Sequence, residues 1–325
     1  MRRLAPVLVL AVAGCSGLGP TVTPADVREG VHDAVEAPAA RATSADLQRA
    51  VEAEVAGFDG VVGVYVRHLG TGATAAVRAD ERFPTASLVK VPLLAAVFDR
   101  IEAGELSLDQ RLTFRDSLRY DEDEGELFAQ LRDSSTVFLH SAVEQMLSAS
   151  DNTASLWLQA LVGGERVNAW LAERGFEHTR VNSRTPGRRP DWEAYGWGQT
   201  TPREMADLVV RIVEGRAVSP AADDEMHRLL TRTHWDDEAL SALPPSVQAA
   251  SKQGAVSRSR SEVVYVHAPS GPYVFCVITK DQGDTSYAPE NAGYVLIRRL
   301  SRLFWTSFEP GSQWRPVPGV ERYRL

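Results

Sequence analysis

The sequence predicts an α/β fold in which strands from both ends of the chain share one sheet and a helical insertion lies between them. Apolar stretches joined by glycine-bearing turns lie near both ends, and helical periodicity fills the middle. At 325 residues, with 44% hydrophobic and 24% charged residues, the chain can hold one large domain or two interleaved ones. The simplest packing therefore pairs the strands of the two ends with each other.

A helix and a hairpin come first in the domain. Ser44 to Ala56 has its apolar residues on one stripe, which predicts a helix capped by Ser44. Two predicted strands, residues 61–68 and 73–79, flank Gly70-Thr71-Gly72, which is a hairpin turn signal.

Helical patterns follow, and a second hairpin and a closing helix end the domain. The middle predicts helices at Ser87–Glu102, Ser141–Ser150, Ala154–Val162 and Arg203–Glu214. Thr201 and Pro202 suit the cap and first position of the last of these. The end of the chain predicts strands at Glu262–His267 and Tyr273–Thr279 and a helix at Asn291–Phe308.

The N-terminus has the pattern of an export signal. Two arginines precede the apolar stretch from Leu4 to Ala13, and small residues lead to Cys15. Val12-Ala13-Gly14-Cys15 resembles a bacterial lipobox, which implies cleavage before Cys15 and lipidation of its thiol. Plain secretion with an incidental cysteine is the alternative. Because Cys276 would then be the remaining cysteine, and lies in an apolar run, we expect it to be a buried hydrophobe.

Charge and composition exclude several function classes. A net charge of −8 argues against a nucleic-acid partner. The seven histidines lack ligand spacing and no glycine-rich phosphate loop is present, so we expect neither metal nor cofactor. The acidic run from Asp121 to Glu124 predicts a solvated loop.

Lysine usage points to catalysis. Three lysines stand among 35 basic residues, and two of them occur in short motifs. Lys90 follows Ser87 by three residues, one helical turn, and a desolvated lysine amine can accept a serine proton whereas arginine cannot. A helix cap with an exposed lysine is the alternative for this pair.

Two further motifs follow in order. Ser150-Asp151-Asn152 lies between two predicted helices, and Lys252-Gln253-Gly254 precedes a predicted strand pair. A strand edge there could offer the Ala255 N–H, beside the Ser87 N–H, to an oxyanion. The alternatives are a cap and turn for the first motif and a surface charge for Lys252.

Together these motifs resemble those of class A β-lactamases and penicillin-binding proteins. The resemblance runs from about Ser44 to Phe308 and is strongest at Phe83–Pro92, Ser150–Ala154 and Thr200–Met205. It implies an antiparallel sheet of about five strands flanked by helices, with an inserted all-helical domain and an active site between them.

The resemblance also implies residue roles. Ser87 would be the acylated nucleophile, with Lys90 as its general base or part of a base relay. Ser150 would pass a proton to the leaving nitrogen, and Asn152 would bind the substrate amide. Lys252 would attract the substrate carboxylate, with Arg258 or Arg260 as a further candidate. Gln253, Gly254 and Ala255 complete the predicted substrate-binding residues.

Two positions depart from the family pattern. Gln253 stands where the family has threonine or serine. Thr185 stands where class A enzymes carry the glutamate that activates water for deacylation, and threonine is not a base near neutral pH. Glu193 is the nearest glutamate on that loop and is the candidate deacylation base.

We therefore expect a serine hydrolase that opens the β-lactam amide through a Ser87 acyl-enzyme. The alternatives are a penicillin-binding-like D,D-peptidase acting on cell-wall peptides and a slow-deacylating acyl-trap or binding protein. We expect a monomer held at a bacterial membrane by its lipid, facing the periplasm or the cell exterior.

The predicted segments are 1–14 (signal peptide), 15–43 (tether), 44–308 (hydrolase domain; α/β part 44–85 and 205–308, helical part 86–204) and 309–325 (tail).

Overall fold

The computed structural model describes residues 42–120 and 126–317. The predicted signal peptide, Cys15, nearly all of the tether, the acidic run and the last eight residues of the tail lie outside these ranges. Among the described residues, the helices are α1 (Ser44–Val55), α2 (Lys90–Glu102), α3 (Leu139–Glu144), α4 (Asn152–Val162), α5 (Gly164–Glu173), α6 (Arg189–Tyr195), α7 (Pro202–Val213), α8 (Pro220–Leu230) and α9 (Ala292–Phe308).

The strands form one large sheet and two small ones. Their bounds are β1 (Val61–His68), β2 (Thr74–Val77), β3 (Phe83–Pro84), β4 (Arg111–Thr113), β5 (Thr136–Phe138), β6 (Arg180–Val181), β7 (Gly198–Thr200), β8 (Ala249–Val256), β9 (Ser259–Val266) and β10 (Tyr273–Lys280). The large sheet is antiparallel, in the order β2-β1-β10-β9-β8. Strands from both ends of the chain thus share one five-stranded sheet, which confirms the predicted fold class.

Alternation along the strands gives the sheet two apolar faces. In β1, Val62, Val64 and Val66 belong to a core shared with α1 and α9, whereas Tyr65 belongs to the core on the opposite face. Side chains of a strand alternate between faces, so each face of the sheet is covered by its own layer of helices.

Several sequence predictions need correction. Thr43, not Ser44, caps α1, because its side chain accepts the Asp46 N–H in a capping box. Helices α5, α6 and α8 were not predicted. Strand β8 was also missed, because its sequence, AASKQGAV, has low β propensity, and its pairing with β9 makes it a strand.

Candidate active site

Ser87 lies in a tight 3-10 turn, Ala86–Val89, that leads directly into α2. Ala86 has φ 44°, a left-handed conformation that is costly for a residue other than glycine. The other three residues of the turn are buried, whereas Ser87 is partly exposed. Ser87 is therefore the one residue of this turn that is accessible to solvent, and it lies just before the buried helix α2.

The backbone of β8 passes directly beside this turn. A Cβ atom added at Gly254 would lie 2.8 Å from Ser87 N and 2.9 Å from Thr85 O, closer than side-chain atoms approach. Glycine is required at this position, and the close approach places the β8 backbone at Gly254 next to the Ser87 amide. The paired Ala255 and Ser87 N–H groups expected from the sequence stay a prediction.

Lys90 is fully buried and binds the second motif. Its Nζ contacts the Ser150 carbonyl oxygen, lies 3.1 Å from Ser150 Oγ and lies 2.8 Å from Asn152 Oδ1. The first and second motifs, 60 residues apart in the sequence, therefore form one hydrogen-bonded cluster.

Local backbone geometry orients the second motif. Ser150 has φ 62° and ends a π-helical turn, Gln145–Ala149. Asp151 caps α4 by accepting the Ala154 N–H at 2.7 Å, and it also accepts the Phe128 N–H at 2.9 Å. This anchoring turns the side chains of Ser150 and Asn152 towards Lys90.

Lys252 completes the cluster from the sheet side. Its Nζ donates to Ser150 Oγ at 2.9 Å and to the Gln253 carbonyl oxygen at 2.8 Å, and the side chain is 1% exposed. Burial, and next the positive charge of Lys90, hold the pKa of Lys252 well below its usual value. One serine hydroxyl thus lies between two lysine amines, an arrangement suited to passing a proton.

Glu126 is a member of this region that sequence reasoning missed. Its carboxylate accepts the N–H groups of Asn152 at 2.7 Å and Thr153 at 3.1 Å, at the N-terminus of α4. Burial raises the pKa of Glu126 to about 7. Its distance of 26 residues from Asn152 left no spacing signal from which to predict the contact.

The arginines and the loop glutamate have partners outside the lysine–serine cluster. Arg258 is exposed and donates to the Asp281 carbonyl oxygen, whereas buried Arg260 stacks on Tyr287 and Tyr294. Glu193 lies on α6 in an exposed ion pair with Arg189, at 2.6 Å. Because these side chains are engaged elsewhere, the positive groups shown in the cluster are the two lysines.

Thr185 is buried in the loop between β6 and β7. Its Oγ1 donates to the Ser183 carbonyl oxygen at 3.0 Å. The same Oγ1 lies where a side chain on Gly164 would start, because a Cβ atom added there would be 1.9 Å away. Position 185 is therefore fixed tightly against the beginning of α5.

Replacing Gly164 by alanine is expected to destabilise the protein by about 1–3 kcal/mol, because the new Cβ atom overlaps Thr185. Urea unfolding of the wild type and Gly164→Ala measures this. Adding Thr185→Ala removes Oγ1 and Cγ2, so the double variant should recover most of the loss. Equal stabilities of Gly164→Ala and the wild type would contradict the packing described here.

We searched the described residues for a group of metal ligands and for a membrane-spanning helix. Within residues 42–120 and 126–317, no three His, Cys, Asp or Glu side chains are grouped so as to hold a metal ion. In the same ranges, no helix has the length and apolar character needed to cross a membrane.

Comparisons with known proteins show the family of the chain. The sequence model of the "Beta-lactamase enzyme family" matches residues 46–308. Beta-lactamase AER-1 of Aeromonas hydrophila is 28% identical over 235 residues, which cover 69% of this chain and 74% of that protein.

Solved structures of similar fold include a PBP-A and a beta-lactamase. The structure of PBP-A has a TM-score of 0.73 at 27% identity, covering 83% of this chain and 98% of that one. A beta-lactamase from Sphaerobacter thermophilus has a TM-score of 0.72 at 27% identity, with 82% and 98% covered. Since the family match spans most of the chain, including every described residue of the lysine–serine cluster, the chain belongs to the beta-lactamase enzyme family and is a hydrolase.

Proposed function

We propose that this protein opens β-lactam amides by forming an acyl-enzyme on Ser87, and that it releases the acyl group slowly. The observation that carries the proposal is the position of Ser150 Oγ, 3.1 Å from Lys90 Nζ and 2.9 Å from Lys252 Nζ. This proton path lies one helical turn from Ser87, which is held at the start of α2.

In the proposed acylation, these groups act in the following order. Lys90, as a neutral amine, takes the Ser87 hydroxyl proton while Oγ attacks the lactam carbonyl carbon. The oxyanion that forms accepts hydrogen bonds from the N–H groups of Ser87 and Ala255. Ser150 then donates its proton to the leaving nitrogen as the C–N bond breaks, and Lys90 returns a proton to Ser150. The ring-opened substrate remains as an ester of Ser87.

The residues around the proton path through Ser150 would bind the substrate. In the proposal, the Asn152 amide bonds the substrate's side-chain amide, and the Lys252 ammonium attracts its carboxylate. Gln253 stands beside Lys252 and can donate a further hydrogen bond. The β-lactam class is supported by the similarity to PBP-A, a variant of which has been solved as an acyl-enzyme with penicillin G.

Deacylation lacks an evident base. By the resemblance, Thr185 stands where class A enzymes carry the deacylation glutamate, and its hydroxyl donates to the Ser183 carbonyl oxygen. Glu193 forms an ion pair with Arg189 on an exposed helix. These observations favour a second candidate function, a penicillin-binding-like D,D-peptidase that acts on cell-wall peptides and retains β-lactams as long-lived adducts. A non-catalytic acyl-trap is the remaining alternative.

We also propose that the mature protein is exported and anchored. Cys15 would carry the lipid, and residues 15–43 would join it to the hydrolase domain 44–308. Such a lipid anchor with several acyl chains holds a protein stably at a membrane. We propose that the domain acts as a monomer and needs no cofactor, since acylation and proton transfer both use side chains.

Intact-protein mass over time tests the proposal. The chain lacking residues 1–15 is mixed with excess penicillin G. We expect an adduct with the mass of one intact penicillin that persists for many minutes while product accumulates slowly. Rapid product release without an adduct would show an efficient deacylation base and contradict slow release. Neither adduct nor product would contradict β-lactam chemistry and would direct the search to cell-wall peptides.

A further inference from the structure

Two histidines outside the lysine–serine cluster contact each other through their ring nitrogens. His227 Nε2 lies 3.1 Å from His267 Nε2, and the two ring planes are nearly parallel, at 24°. Both rings are half-buried and rest against the ring of Tyr265. Because 40 residues separate the two histidines, their sequence spacing gave no sign of the contact. Neither ring takes part in the proton path through Ser150.

Regular secondary structure holds both rings in place. His227 lies in the last turn of α8, and His267 follows the last residue of β9 directly. The His267 N–H donates to the Gln248 carbonyl oxygen at 3.0 Å, which fixes this backbone beside the start of β8. Because a helix and a sheet supply one ring each, the fold sets the separation of the two nitrogens.

This separation suits two ligands of one metal ion. Zinc binds histidine nitrogen at about 2.0–2.1 Å. Two nitrogens 3.1 Å apart can both lie at that distance from one ion, with an angle of about 95–100° between the two bonds. That angle lies between the right angle of an octahedral site and the wider angle of a tetrahedral one.

Both rings can act as ligands near neutral pH. Burial is the main cause that lowers the pKa of each histidine below its usual value, and for His227 the charge of His267 comes next. On His227, Asp224 acts against this shift and Arg228 acts with it. In the neutral pair, one ring carries its proton on Nε2. Moving that proton to Nδ1 leaves both Nε2 lone pairs for the ion, so no net proton is lost.

The surroundings favour a positive ion at this place. The C-terminal end of a helix carries partial negative charge, and His227 lies in the last turn of α8. Among the described residues, no third His, Cys, Asp or Glu joins the pair as a ligand, so water completes the coordination.

We propose that His227 and His267 form a binding site for one divalent transition-metal ion such as Zn²⁺, with their Nε2 atoms as its two protein ligands. Imidazole nitrogen suits zinc, nickel and copper. The bound ion joins α8 to the sheet and stabilises the folded protein, because the unfolded chain does not hold the two nitrogens together. The site departs from the sequence-based expectation of no metal, and it does not depend on the proposed hydrolase chemistry.

Isothermal titration with zinc chloride at pH 7.5 tests the site. The protein is the chain lacking residues 1–15, without a histidine tag, as wild type, His227→Gln and His267→Gln. The control is His140→Gln, which removes an exposed histidine on α3. We expect one zinc ion per chain in the wild type and the control, and binding that is weaker by about tenfold or more in each of the other variants. Absence of zinc binding by the wild type, or equal binding by all four proteins, would overturn the proposal.

Urea unfolding gives a second readout and shows whether each variant folds. Zinc chloride should raise the unfolding midpoint of the wild type and of His140→Gln, and excess EDTA should reverse the rise. The midpoints of His227→Gln and His267→Gln should not move. In the wild type the rise should disappear at pH 5.5, because protons then compete with zinc for both rings. A wild-type midpoint that zinc leaves unchanged at pH 7.5 would contradict the site, even if both glutamine variants failed to fold.

Discussion

Replacing Ser87 by alanine is expected to lower the rate of β-lactam turnover by about 10⁴-fold or more and to abolish the covalent adduct. The chain has no second nucleophile in the same position, because the other members of the turn, Ala86, Leu88 and Val89, carry no hydroxyl. Removing the nucleophile of a cooperating set costs nearly all of its rate enhancement, since the remaining groups then have no reaction to assist.

The change removes one oxygen from a partly exposed side chain, so the fold should be unaffected. Ser117→Ala, an exposed serine in another 3-10 turn, is the matched control and should behave as the wild type. Steady-state hydrolysis and intact mass give the two readouts. Turnover that survives in Ser87→Ala would assign the chemistry to another group. Reversible ligand binding by both proteins without an adduct in either would support the binding-protein alternative.

The residues proposed to carry this chemistry could be predicted from the sequence because helical spacing fixes their relation. Ser87 and Lys90 are one turn apart, and the start of a buried helix was evident from its apolar run. The order of the three motifs further predicted that distant segments would meet. The contacts of Ser150 with Lys90 and Lys252 satisfy that expectation at 3.1 and 2.9 Å.

Other features depend on tertiary contacts that no local pattern reports. Strand β8 has weak β propensity and is defined by its pairing with β9. Glu126 reaches Asn152 across 26 residues, and Glu262 accepts the Ala239 N–H only because the segment before β8 folds behind the sheet. Buried charges of this kind are assembled by the fold, so their sequence positions look like ordinary surface glutamates.

The second large effect is expected on deacylation. Thr185→Glu should speed release of the penicillin acyl group by about 10²–10⁴-fold, because a positioned general base contributes that much to attack by water. The gain corresponds to about 3–5 kcal/mol of transition-state stabilisation. Single-turnover intact mass, in which the adduct is formed first and excess penicillin is removed, measures the release rate directly.

Thr185→Gln is the matched control, because glutamine has the size of glutamate and cannot take a proton from water. It should repack the loop as the glutamate does and leave release slow. Both variants lose the Thr185 hydroxyl that bonds the Ser183 carbonyl oxygen, so unfolding measurements must show that they are equally stable before rates are compared. A gain that is confined to Thr185→Glu, and that grows with pH as the new carboxyl ionises, would identify the missing base as the cause of slow release. Equally slow release by both variants would contradict the prediction that a carboxylate at position 185 restores deacylation. Rapid release by both variants and by the wild type would instead show a base elsewhere, and Glu126, which accepts the Asn152 N–H and whose pKa burial raises to about 7, would then be the next residue to replace.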